Sequence, residues 1–114
     1  MSPFGLVVRF ALKPGRADAF DALVRDTVTG IAANEPRTLA YAVHALDGEP
    51  DIRIFYELYA SEAALAEHES QTTTRSFLDL VDDYVTSVEI QRLQLVTATG
   101  IADLPPAAEV PADG

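Results

Sequence analysis

The chain has 114 residues, 48% of them apolar and 23% charged, with a formal charge of -10 and no cysteine. Those figures suit one globular domain with a modest core. They exclude a disulfide framework, a thiolate nucleophile and a Cys-ligated metal, and so negative a field disfavours nucleic acid, an anionic membrane surface and a highly phosphorylated substrate.

No apolar run reaches the length of a membrane span, and Met1-Ser2-Pro3-Phe4 offers no basic region ahead of an apolar core. The expectation is a cytoplasmic protein with no membrane association. Leu6, Val8, Phe10 and Leu12 alternate with Val7, Arg9 and Ala11 in a first strand, which Lys13-Pro14-Gly15 ends. From Arg16 to Ile31, Ala17, Phe20, Leu23, Val24, Thr27, Val28 and Ile31 recur at steps of three and four, which predicts an amphipathic helix. The helix should stop near Asn34-Glu35-Pro36, because the residue before proline is pushed out of the helical region.

Leu39 to Leu46 reads as a second strand, with Tyr41 and Val43 on one face and Ala42 and His44 on the other. Asp47-Gly48-Glu49-Pro50 predicts a turn, and the strand from Ile52 to Tyr59 pairs back as a hairpin. Its alternation puts Phe55, Glu57 and Tyr59 on one face and Ile54, Tyr56 and Leu58 on the other. Ser61 is the predicted N-cap of a helix from Glu62 to Val81, which Gln71-Thr72-Thr73-Thr74 kinks or divides. Val88 to Val96 supplies the last strand. Residues 1–100 are expected to form the domain, and the Pro- and Ala-rich residues 101–114 a tail.

Strand-helix-strand-strand-helix-strand is the order of an α+β, ferredoxin-like split β-α-β fold, a four-stranded antiparallel sheet with its helices on one face. Apolar residues also point to the other face. A homodimer, sheet against sheet, would cover them.

In this order the chain resembles the antibiotic biosynthesis monooxygenase family of dimeric alpha/beta-barrel proteins. The resemblance rests on Lys13-Pro14-Gly15, on Asn34-Glu35-Pro36-Arg37-Thr38-Leu39-Ala40-Tyr41, on the Asp47 to Pro50 turn, and on Phe55 to Leu65 followed by His68; it covers residues 5–97. Arg37 departs from the glycine that often follows Glu-Pro in the family. The resemblance implies a cofactor-free monooxygenase that oxidises an aromatic polyketide, anthrone or quinol-like compound with molecular oxygen. It also leaves open an isomerase or other proton-transfer enzyme, and a non-catalytic dimeric binding or accessory protein. The haem-degrading relatives carry a tryptophan where this chain has His68 and a ligating histidine where it has Leu78, so haem degradation is disfavoured.

Such chemistry needs a base for a phenol and a dry cavity. His68 with Glu57 is the candidate acid-base pair and Tyr59 its neighbour on the strand, against the plainer role of a buried hydrogen bond. Tyr41, His44, Phe55, Thr72, Arg75 and Phe77 are the candidate substrate-binding residues for a small aromatic substrate; a surface ion pair competes for Arg75. Two distant histidines without a third ligand are poor grounds for a metal site, and no glycine-rich nucleotide fingerprint is present. No cofactor is expected.

Overall fold

The computed structural model describes residues 2–102. Its elements follow in the order β1 Phe4–Leu12, α1 Ala17–Asn34, β2 Thr38–Leu46, β3 Glu49–Tyr59, α2 Glu62–Ser70, α3 Thr72–Leu80, a 3-10 turn at Val81–Asp83, and β4 Val85–Gln94. The four strands form one antiparallel sheet in the order β2-β3-β1-β4. This is the expected α+β ferredoxin-like fold. The proposed tail lies, from residue 103 on, outside the described residues.

Three boundaries differ from expectation, each for a local reason. The hairpin turn is only Asp47-Gly48, because Gly48 takes a positive φ of 80° and lets Leu46 face Glu49 directly. Pro50 therefore sits inside β3, but beyond the end of the β1 ladder at Ile52, where its missing N–H forfeits no β1 bond. β4 begins at Val85, three residues early: β1 continues to Leu12, which faces Val85 across a register shift. It stops at Gln94, opposite Phe4, because β1 has no further residue to pair.

All helices lie on one face. Val8, Phe10 and Leu12 of β1 and Phe55 of β3 pack there against Phe20 and Val24 of α1 and Phe77 of α3. The rings of Phe10 and Phe55 meet edge to face at 4.7 Å between centroids, and Phe20 and Phe77 approach at 5.9 Å. A second, smaller cluster of Phe4, Tyr59 and Ala64 anchors α2. Ser61 caps that helix as expected, its hydroxyl accepting the Ala64 N–H at 3.2 Å. Gln71 then breaks the helical run in an extended conformation, φ -67° and ψ 143°, and serves as the N-cap of α3. That break turns α3 independently of α2. It places Thr74 and Phe77, three residues apart, toward the sheet.

Candidate functional site

Between the sheet and α2–α3 lies a cavity of about 170 Å³. Val8, Phe10, Phe55, Phe77 and Val81 make its apolar wall, while Tyr41, Glu57, His68 and Thr74 gather polar groups at one end. Its rim carries Leu78, Val88 and Ile90, which are 50%, 41% and 65% exposed. Val88 and Ile90 point to the helix side, opposite Phe10 and Val8 of β1, yet the helices leave them uncovered.

The polar end is built from four elements. Glu57 enters from near the C-terminal end of β3 and is buried; the Tyr59 hydroxyl, two residues along on the same face, donates to its Oε1 at 2.5 Å. Burial is the chief influence pushing the Glu57 carboxyl above its ordinary range, while the Tyr59 bond and, when the ring is protonated, His68 pull it back. Burial also drives the Tyr59 and Tyr41 phenols far up, and the nearby Glu57 charge adds to it. Both tyrosines therefore stay protonated throughout the working range and act as hydrogen-bond donors.

His68 reaches in from α2, with its ring between those of Tyr41 and Tyr59, at 5.5 and 5.4 Å between centroids. Its Nδ1 lies 2.7 Å from Oε1 of Glu35, the residue that ends α1 ahead of Pro36. The Thr38 hydroxyl donates to the same oxygen at 2.9 Å. The hydrogen-bonded carboxylate of His68 is thus Glu35 rather than Glu57. Glu57 stands close enough to feel the imidazole whenever that ring is protonated, with its own bond directed to Tyr59.

Other candidates fall in different places. Phe55, Phe77 and Tyr41 line the cavity, whereas Tyr59 is fully buried behind Glu57 and forms none of the lining. Thr72 and Arg75 are on the exposed side of α3 and do not reach the cavity; Thr74 occupies the position expected of Thr72. His44, opposite Ile54 in the register, is exposed and lines a separate open cleft with Asp21, Arg25 and Arg53. Alternation along β2 already separated His44 from Tyr41. The sequence signal for Glu35 was its place between a helix end and a proline, with a hydroxyl three residues on.

Taken together, the cavity offers the imidazole of His68, the carboxyl of Glu57 and the phenol of Tyr41 in a mostly apolar slot, with Tyr59 behind Glu57. It can accept a proton from an aromatic hydroxyl and return one to an oxygen. Among the described residues no group of three or more His, Cys, Asp or Glu side chains is placed to hold a metal ion, and no helix is long and apolar enough to cross a membrane.

The family model for antibiotic biosynthesis monooxygenases matches residues 3–80. Among solved structures, a Caulobacter crescentus protein named for that activity is 25% identical, with a TM-score of 0.79 over 84% of this chain and 92% of its own. A Chloroflexus aurantiacus protein of the same designation is 22% identical, with a TM-score of 0.78 over 89% of this chain and 100% of its own. Rv0793 of Mycobacterium tuberculosis is also 22% identical, with a TM-score of 0.78 over 86% and 99%. At those last two identities the likeness concerns the fold. No curated protein gives a significant match.

Proposed function

The chain belongs to the antibiotic biosynthesis monooxygenase family, and from that premise we propose that it is a cofactor-independent monooxygenase acting on a small phenolic or quinol-like substrate. The observation that carries this reading is the cavity itself, lined mostly by apolar side chains, with Tyr41, Glu57, His68 and Thr74 among its few polar groups beside Thr27 and Glu69. His68 takes the phenolic proton, and the ring becomes an electron-rich anion. Molecular oxygen adds at a ring carbon that bears hydrogen. The resulting hydroperoxide loses water as its O–O bond breaks and the carbon becomes a carbonyl. One oxygen atom enters the product and the other leaves as water, and all four electrons come from the substrate. The proton taken up by His68 returns to the peroxide oxygen, and Tyr41, kept protonated by burial, holds the departing oxygen by a hydrogen bond.

Cavity size narrows the substrate. A space of about 170 Å³ compares with the roughly 150 Å³ apolar cavity that accepts benzene. One substituted ring fits inside, so a simple quinol is favoured over a three-ring anthrone, and larger apolar substituents would leave past Leu78 and Ile90. Glu57 and His68 would equally serve a proton-transfer isomerase, and oxygen consumption separates the two. The protein acts as a homodimer in this proposal, because Val7, Ile54, Tyr56 and Leu93 stay at least partly exposed on the sheet face opposite the helices.

The test is oxygen uptake by metal-stripped protein on one-, two- and three-ring hydroxylated aromatics. Protein-dependent uptake that is greatest with one-ring quinols is the expected result. Proton exchange or isomerisation without uptake would replace oxygenation by the isomerase reading.

A further inference from the structure

We infer that Glu35 is the positioning residue of this site, holding His68 as the neutral tautomer protonated on Nδ1 so that Nε2 is the basic nitrogen. Glu35 Oε1 is the hub of the arrangement. That oxygen already accepts the Thr38 hydroxyl at 2.9 Å, and it faces His68 Nδ1 at 2.7 Å. An accepting carboxylate oxygen at this distance requires the imidazole nitrogen to carry the proton. Thr74 Oγ1, 3.4 Å from the same nitrogen, is too distant to compete.

No hydrogen bond within the described residues engages Nε2. It is therefore left for a ligand, on a residue that lines the cavity. Both partners are shielded from bulk water: the His68 and Glu35 side chains are 6% and 2% exposed. Glu35 is not part of the cavity lining, and it acts on a substrate only through His68. Its backbone is fixed as well, since its N–H closes the last turn of α1 on Ile31 at 3.0 Å and Pro36 follows. Its Oε2 is buried without a partner, so the carboxylate's hydrogen bonding is concentrated on the side of His68 and Thr38. A base held this way has its ring orientation set before substrate arrives, and the cation formed on accepting a proton meets a carboxylate at once.

The catalytic consequence rests on the function proposed above, but the tautomer does not. Two-bond proton-nitrogen correlation spectra of the neutral His68 ring, in wild type and in Glu35→Ala, read it without any substrate. Wild type should show the Nδ1–H tautomer, and Glu35→Ala should revert toward the Nε2–H form that free imidazole side chains favour in water. An Nε2–H tautomer in wild type would overturn the inference, as would an Nδ1–H tautomer that survives in Glu35→Ala. Because the wild-type spectrum needs no variant, a Glu35→Ala protein that fails to fold still leaves it decided. In turnover, Glu35→Ala should lose about tenfold or more in kcat with little change in KM, and Glu35→Asp should recover part of it. Full activity in Glu35→Ala would remove the positioning role even where the tautomer is as expected. Full activity in His68→Ala would instead remove the site assignment on which that role depends.

Discussion

Gly30 of α1 sits where that helix crosses α3, and an added methyl there tests whether the cavity's lid is as tightly seated as its packing implies. A Cβ at position 30 would lie 2.7 Å from both Cγ2 and Oγ1 of Thr73 and 3.0 Å from its Cβ. Thr73 is β-branched and short, so it has little freedom to swing aside. Replacing a helical glycine by alanine gains roughly 1 kcal/mol of helix propensity, while overpacking of this kind costs about 1–3 kcal/mol. Gly30→Ala should therefore be destabilised by about 1 kcal/mol, which for a domain of this size lowers Tm by roughly 4 °C. Urea unfolding of Gly30→Ala, Thr73→Ala and the double variant gives the coupling directly. The double variant should regain about 1 kcal/mol or more relative to the sum of the singles, because the two atoms at 2.7 Å are gone. A Gly30→Ala protein at least as stable as wild type, with additive behaviour in the cycle, would refute the reasoning. The consequence reaches the site, since α3 also carries Thr74, Phe77 and Leu78 of the cavity.

Glu57 links stability to pH. Its carboxyl is raised in the folded protein, so the folded state binds the proton more tightly than the unfolded chain, and stability falls as pH climbs from the ordinary 4.5 to the raised folded value. Each unit in that window is worth about 1.4 kcal/mol, and Glu57→Gln should flatten this part of a Tm-against-pH curve; superimposable curves would contradict it. Arg53 is held by both Asp21 oxygens at 2.8 and 3.0 Å and by the Pro50 and Ile52 carbonyls. Asp21→Ala leaves this largely buried guanidinium without its counter-charge and should cost about 2 kcal/mol in urea unfolding, discounted for the partial exposure of Asp21; an unchanged midpoint would mean the pair is dispensable.

Much of this architecture was legible because its causes are local. Alternation placed Phe55, Glu57 and Tyr59 together on β3, Pro36 ended α1, and the polar run after His68 divided the second helix. What escaped was set by packing between distant segments. The bond between Glu35 and His68 spans 33 positions, and nothing in spacing announces that the end of α1 meets α2. Thr72 and Thr74 are alike by composition, but the i, i+3 spacing puts Thr74 on the face of Phe77 and leaves Thr72 off it, a signal the sequence already held. Arg75 then falls outward by the same geometry. Tyr59 lies on the expected face, yet its hydroxyl is turned to Glu57 and its ring is closed off from the cavity.

In the proposed reaction a proton passes to His68 from an aromatic substrate bound in the cavity. Steady-state oxygen uptake by His68→Gln beside wild type, with a one-ring quinol and metal-stripped protein, tests it most directly. His68→Gln should show a kcat at least about tenfold lower with KM nearly unchanged, because the side chain acts on the reacting oxygen more than on binding. Equal turnover by the two proteins would contradict it and move the chemistry, if any, away from this cavity.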